Sequence, residues 1–163
     1  MTLFLFILVN IAAIAYLRFV MKRNLHSLEI LVYWCISAIV IQNISAILFL
    51  KFELIKLSEI ASLNWADVIN RTVLVPILTI TILNYYVTLQ SLLKKLVLIS
   101  IYVTILTGIE WLSEWTNLFF HADSWQLWWS FALNALVIVV TLTSLKVIRH
   151  TFYRKDKANG FYV

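Results

Sequence analysis

Five apolar runs, separated by short polar stretches, make up most of the chain. They cover residues 3–20, 28–50, 68–89, 96–112 and 126–148. Each is close to the length of about 20 residues that a helix needs to cross a hydrocarbon core. At about 100° per residue, Ser100, Thr104, Thr107, Glu110, Trp111 and Glu114 share one face of the fourth run, and Gln126, Ser130, Asn134, Thr141 and Ser144 share one face of the fifth. A hydroxyl or amide in hydrocarbon needs a partner, so these stripes are expected to face each other. The third run is polar on two faces, with Thr72 and Thr79 on one and Asn70, Thr81 and Asn84 roughly opposite, which reads as a central helix. In the second, Gln42 and Asn43 serve either as helix glue or as the lining of a polar path.

The stretch 51–67 mixes charges with Phe52, Leu54, Ile55, Leu57 and Ile60 without a clean period, and reads as a short helix lying in the outer interface. Pro76, near the start of the third run, removes one backbone hydrogen bond and is expected to kink that helix. Ala13-Ile14-Ala15 imitates a signal-peptide cleavage site, but Arg18, Lys22 and Arg23 follow the first run where a signal peptide would carry its charge before it. The first run is therefore read as a span, with cleavage as the alternative.

Composition agrees with the pattern. The chain is 63% hydrophobic and 13% charged, against about 45–50% and about 25% for soluble domains, and its mean hydropathy is +0.92. One transmembrane domain, residues 1–163, is the natural size for 163 residues. Cys35 stands alone, so no internal disulfide or CxxC site can form, and it reads as a small buried hydrophobe. The net charge of +5 is not a nucleic-acid signal, because the basic residues stand at the ends of apolar runs.

Those ends set the orientation. Alternating the loops places Arg18, Lys22, Arg23, Lys94, Lys95, Lys146 and the basic tail 149–163 on one side, against Lys51, Lys56 and Arg71 on the other. The positive-inside rule then puts the C-terminus in the cytoplasm and the N-terminus outside. The expected fold class is an all-α integral membrane bundle of five transmembrane helices. Trp65, Trp111, Trp115, Trp125, Trp128 and Trp129 fall at the outer level and read as interfacial anchors of an aromatic belt.

The candidate polar cluster is also at that level: Asp67, Arg71, Glu110, Glu114, His121 and Asp123. Arg71 and Glu110 each lie about one turn inside a span and at one depth, so an Arg71–Glu110 ion pair is expected. Carboxylates with a histidine can ligate a divalent ion or exchange protons, but HEXXH and any nucleophile motif are missing. No cofactor is implied. His26 and His150 read as solvated positions among cytoplasmic basic residues.

Asp67, Val75-Pro76, Glu110-Trp111, His121 and the Trp125 to Trp129-Ser130 run with Asn134 resemble a family of small, uncharacterised five-helix membrane proteins from endospore-forming bacteria. That family often has Asn-His-Thr shortly before the aspartate, where this chain reads Ser62-Leu63-Asn64-Trp65-Ala66-Asp67 and lacks the histidine. The resemblance implies a bacterial cell membrane or spore membrane and recurring Asp67, Glu110 and His121 types, and supplies no reaction.

Three functions follow from this reading. The first is a non-enzymatic structural or assembly component, with the lipid bilayer and a second copy or another membrane protein as partners. The others are a small oligomeric transport subunit and a membrane-embedded, metal-dependent hydrolase using Glu110 and His121.

Overall fold

The computed structural model describes residues 2–22 and 24–158, with side chains described as far as His150 apart from Thr2, Val20 and Leu57. Arg23 and the tail charges Arg154, Lys155 and Lys157 lie outside the described side chains. The helices are α1 (Thr2–Ala15, continued by a π-turn Tyr16–Val20), α2 (Ser27–Leu50), α3 (Ala61–Ile69), α4 (Val75–Tyr86), α5 (Leu92–Trp115) and α6 (Leu127–Ala158), with a second π-turn, Asn70–Leu74, joining α3 to α4. Two short strands, β1 (Ile55–Leu57) and β2 (Phe119–His121), complete the chain. Four helices, Ser27–Leu50, Ala61–Tyr86, Leu92–Trp115 and Leu127–His150, are long and apolar enough to cross a membrane; the apolar helix Leu3–Phe19 is shorter.

The rods alternate in direction. Phe6 of α1 packs with Leu63 and Ala66 at one end, and the Tyr16 hydroxyl meets that of Tyr85 at the other, 3.1 Å away, so α1 runs parallel to the rod 61–86. That rod is the centre of the bundle: 56% of its apolar stretch is buried, against 11% for α2 and 22% each for α5 and α6. The stripe on α6 packs inward from Ser130 on, with Ser130 and Thr141 buried, while Gln126 precedes the helix and is exposed. The stripe on α5 divides: Thr107 is buried, but Ser100, Thr104 and Trp111 are exposed, and the Thr104 hydroxyl donates back to the Ser100 carbonyl. Between α4 and α5, the Thr79 and Tyr102 hydroxyls join at 2.6 Å.

Several expectations change. The segment 51–67 is not an interfacial helix: β1 pairs antiparallel with β2, Ile55 opposite His121 and Leu57 opposite Phe119, and the third rod already begins at Ala61, seven residues before the expected start. Three residues of strand carry too little period to be seen, and the charge of Asp67 imitated a loop. Asn43 is exposed and its amide donates to its own helix, to the Ile39 carbonyl at 2.8 Å. Cys35 is exposed, because it lies on the outward face of α2, between buried Tyr33 and Ser37. The expected tail begins inside α6, which runs on to Ala158.

At Pro76 the lost hydrogen bond is recovered. The missing N–H would have served the Thr72 carbonyl, four residues earlier. That carbonyl accepts the Trp34 indole N–H instead, at 3.1 Å, while the π-turn immediately before the proline widens the backbone locally.

Candidate functional site

The strand pair exists because α5 ends in a particular way. Asn117 takes the left-handed conformation (φ 59°) that asparagine tolerates better than most residues. The N–H of Asn117 then reaches the Glu114 carbonyl at 2.9 Å and that of Leu118 reaches the Ser113 carbonyl at 3.0 Å. This is the Schellman arrangement, and its hydrophobic residue, Leu118, is fully buried. The chain is turned back so that β2 lies beside β1 and His121 comes to rest against the last turns of α5.

There His121 sits between two carboxylates. Its Nε2 is 3.2 Å from Glu110 Oε1 and its Nδ1 is 3.0 Å from Glu114 Oε2, while its backbone N–H donates to Glu114 Oε1 at 3.3 Å. A neutral imidazole has one N–H and would turn its other lone pair against a carboxylate oxygen; only the imidazolium donates at both nitrogens. Burial alone would lower the imidazole pKa, but the hydrogen bonds and charges of Glu110 and Glu114 outweigh it and hold the pKa above its ordinary value. Trp125 lies flat on the ring, with centroids 4.5 Å apart and planes 11° from parallel, which also favours the cation.

Glu110 is held on every side. Its Oε1 also accepts the Ser130 hydroxyl at 2.9 Å, and its Oε2 accepts the Asn134 amide at 3.3 Å. Asn134 in turn donates to the Thr107 hydroxyl, and the Trp125 indole N–H donates to Ser130 Oγ at 3.1 Å. The network therefore links α5, α6 and the strand loop.

The expected Arg71–Glu110 pair does not form. Arg71 Nε donates to Asp67 Oδ1 at 2.9 Å, one helical turn earlier, and its guanidinium lies 4.8 Å from the Phe49 ring centroid and 5.7 Å from that of Phe119. Depth along a helix is legible in sequence, but depth alone does not weigh the competition from a nearer partner one turn away. Arg71 and Glu110 do both line one partly open cavity of about 120 Å³ under the sheet. Asp67, expected at the outer surface, is only 4% exposed, whereas Asp123 is exposed and makes no ion pair with the described residues.

Of the six expected anchors, Trp65, Trp111, Trp115, Trp128 and Trp129 are exposed, and Trp125 instead belongs to the cluster. Ser130, Asn134 and Thr107 lie outside the expected polar cluster, and their spacing with Glu110 across two antiparallel helices was the available signal. Among the described residues, no three His, Cys, Asp or Glu side chains converge so as to hold a metal ion. Both His121 nitrogens face a carboxylate, and the cluster's chemistry is that of a proton-holding clamp.

The opposite end has its own lock, which the sequence reading missed. Glu29 Oε1 accepts Arg149 Nε at 2.9 Å and Glu29 Oε2 accepts Arg149 Nη2 at 3.2 Å, a fork joining α2 to α6. His26 is not simply solvated: its Nδ1 accepts the Leu28 N–H and its backbone N–H donates to Glu29, capping α2. Glu29 is the only acid in the first fifty residues, and that isolation was the signal.

No protein-family model, curated protein or solved structure matches this chain.

Proposed function

We propose that this chain is a non-enzymatic multipass integral membrane protein, a structural or assembly component of a bacterial cell membrane or spore membrane, whose His121 clamp fastens the outer loops to the helix bundle. The carrying observation is that both nitrogens of His121 are taken up by Glu110 and Glu114. A catalytic base or metal ligand needs a free lone pair directed at a substrate or ion, and this ring has none to offer in its protonated form.

All five rods cross the bilayer in this reading, with the sheet end outside. Arg149 and the loop carrying Lys22 gather at the other end, where Met21 and Leu25 pack with Leu83 and Leu145, and that distribution supports a cytoplasmic C-terminus. The five exposed tryptophans near the sheet end would stand at headgroup level. The resemblance to the five-helix family of endospore formers adds the bacterial assignment through Asp67, Glu110 and His121.

The test is a double-mutant cycle on the purified protein: Glu110→Gln, His121→Ala and both together, with thermal stability and metal content read on the same samples. Coupled destabilisation without stoichiometric metal supports the clamp. Stoichiometric metal that disappears with His121→Ala while the fold survives would sink it.

A further inference from the structure

The cavity under the sheet is amphipathic. Its upper wall carries Asp67, Asn70, Arg71 and Glu110, and its deeper wall is apolar, with Val75, Leu106 and Val137. Arg71 has five N–H donors, and only Nε–H is engaged, by Asp67 Oδ1. The planar fork of terminal nitrogens faces no acceptor among the described residues. Asp67 offers a complementary vacancy, since Oδ1 takes the arginine and Oδ2 receives no hydrogen bond from them. Both side chains are nearly buried, at 12% and 6% exposure, and the Arg71 guanidinium is braced against the Phe49 and Phe119 rings. Beside them, in the π-turn, Asn70 is 4% exposed and its amide nitrogen has no partner among the described residues. Charged donors and acceptors without a protein partner, beside a buried unpartnered amide and lining a cavity on an irregular helical turn, are the elements of a built binding site.

The charges define the occupant. A guanidinium fork matches a phosphate or carboxylate, but a simple anion would also face the carboxylates of Asp67 and Glu110. Glu110 has both oxygens engaged by His121, Ser130 and Asn134, which leaves Asp67 Oδ2 as the free acceptor. A ligand that carries its own amine next to its phosphate meets both vacancies without net repulsion. Because a carboxylate oxygen needs an N–H donor, a primary amine fits where a trimethylammonium does not.

We infer that the cavity binds an aminophosphate headgroup of the phosphoethanolamine type, with its phosphate on Arg71, its amine on Asp67 and its apolar portion along Val75, Leu106 and Val137. The same chemistry occurs in phosphatidylethanolamine and in free O-phosphoethanolamine. The lipid form of the inference rests on the membrane reading above. The site itself does not.

The test is retention of added ligand by the purified protein, read by native mass spectrometry with phosphatidylethanolamine, phosphatidylcholine and phosphatidylglycerol in equal amounts, and separately with O-phosphoethanolamine. The wild type should retain phosphatidylethanolamine at least about tenfold over the other two lipids, the scale of one buried charged hydrogen bond. Arg71→Gln should abolish retention. Asp67→Asn should shift preference toward phosphatidylglycerol. Ser45→Phe, which fills the cavity and leaves its charges in place, should abolish retention in a protein that still melts cooperatively, so a folding failure of Arg71→Gln would leave the inference testable. Tight retention of free O-phosphoethanolamine, also lost in Ser45→Phe, supports the site and identifies the soluble compound as its ligand. Equal retention of all three lipids with no uptake of O-phosphoethanolamine, or unchanged retention in Ser45→Phe, would overturn the inference. Carbonate extraction of cell membranes separates the two readings: a chain that stays in the pellet and binds nothing refutes the site alone, and a chain that leaves it refutes the membrane reading.

Discussion

The two ends of the bundle solve one problem with different cations. At the sheet end, loops and helices are joined through an imidazolium between Glu110 and Glu114. At the other, α2 and α6 are joined through the Arg149 fork on Glu29. Guanidinium stays charged at every accessible pH, whereas imidazole changes charge near neutrality. One lock therefore keeps both its charges across the neutral range and the other loses its cation there, although both join distant parts of the chain through carboxylates on a helix.

The largest effect is expected from Glu110→Ala, which strips partners from His121, Ser130 and Asn134 together. Leaving a nearly buried imidazolium with one of its two carboxylates, and Ser130 and Asn134 each one hydrogen bond short, should cost about 3 kcal/mol, measured by chemical unfolding in detergent. Next comes Glu29→Ala, which should cost about 2 kcal/mol by the same measurement, with a loss that does not vary between about pH 6 and pH 9. Asn84→Leu should follow at about 1–2 kcal/mol. This buried amide holds the loop before α2 by accepting the Asn24 N–H at 2.7 Å and donating to the Lys22 carbonyl at 2.8 Å. The smallest change is Glu114→Gln, about 0.5 kcal/mol, because that side chain is 37% exposed and its pairing is screened. If Glu114→Gln proved as damaging as Glu110→Ala, the cluster would not be anchored on α6 as described.

The five rods were legible because each is a long apolar run, four of them long enough to cross a membrane, and the pairing of α5 with α6 because Ser130 and Asn134 recur at helical spacing with Glu110 opposite. The charged contacts were less legible. Asp67 looked like a loop residue because an unpaired carboxylate ends a span, yet beside Arg71 at i,i+4 it is accommodated inside the helix. Trp125 looked like its neighbours until the Asn117 turn brought His121 beneath it. The strand pair was invisible since each strand is three residues long and depends on a partner more than sixty residues away.

The central claim is that His121 is charged and holds the sheet end. Its pKa is raised in the folded protein, so its stabilisation is complete below the unfolded imidazole value and is lost as pH rises through the folded one. The most direct measurement is the unfolding temperature of the wild type and of His121→Gln from about pH 5 to pH 9. The wild type should lead at low pH and converge on the variant as pH climbs past the ordinary imidazole range. Two curves that stay parallel throughout would show that the ring carries no linked proton, and the clamp would be contradicted.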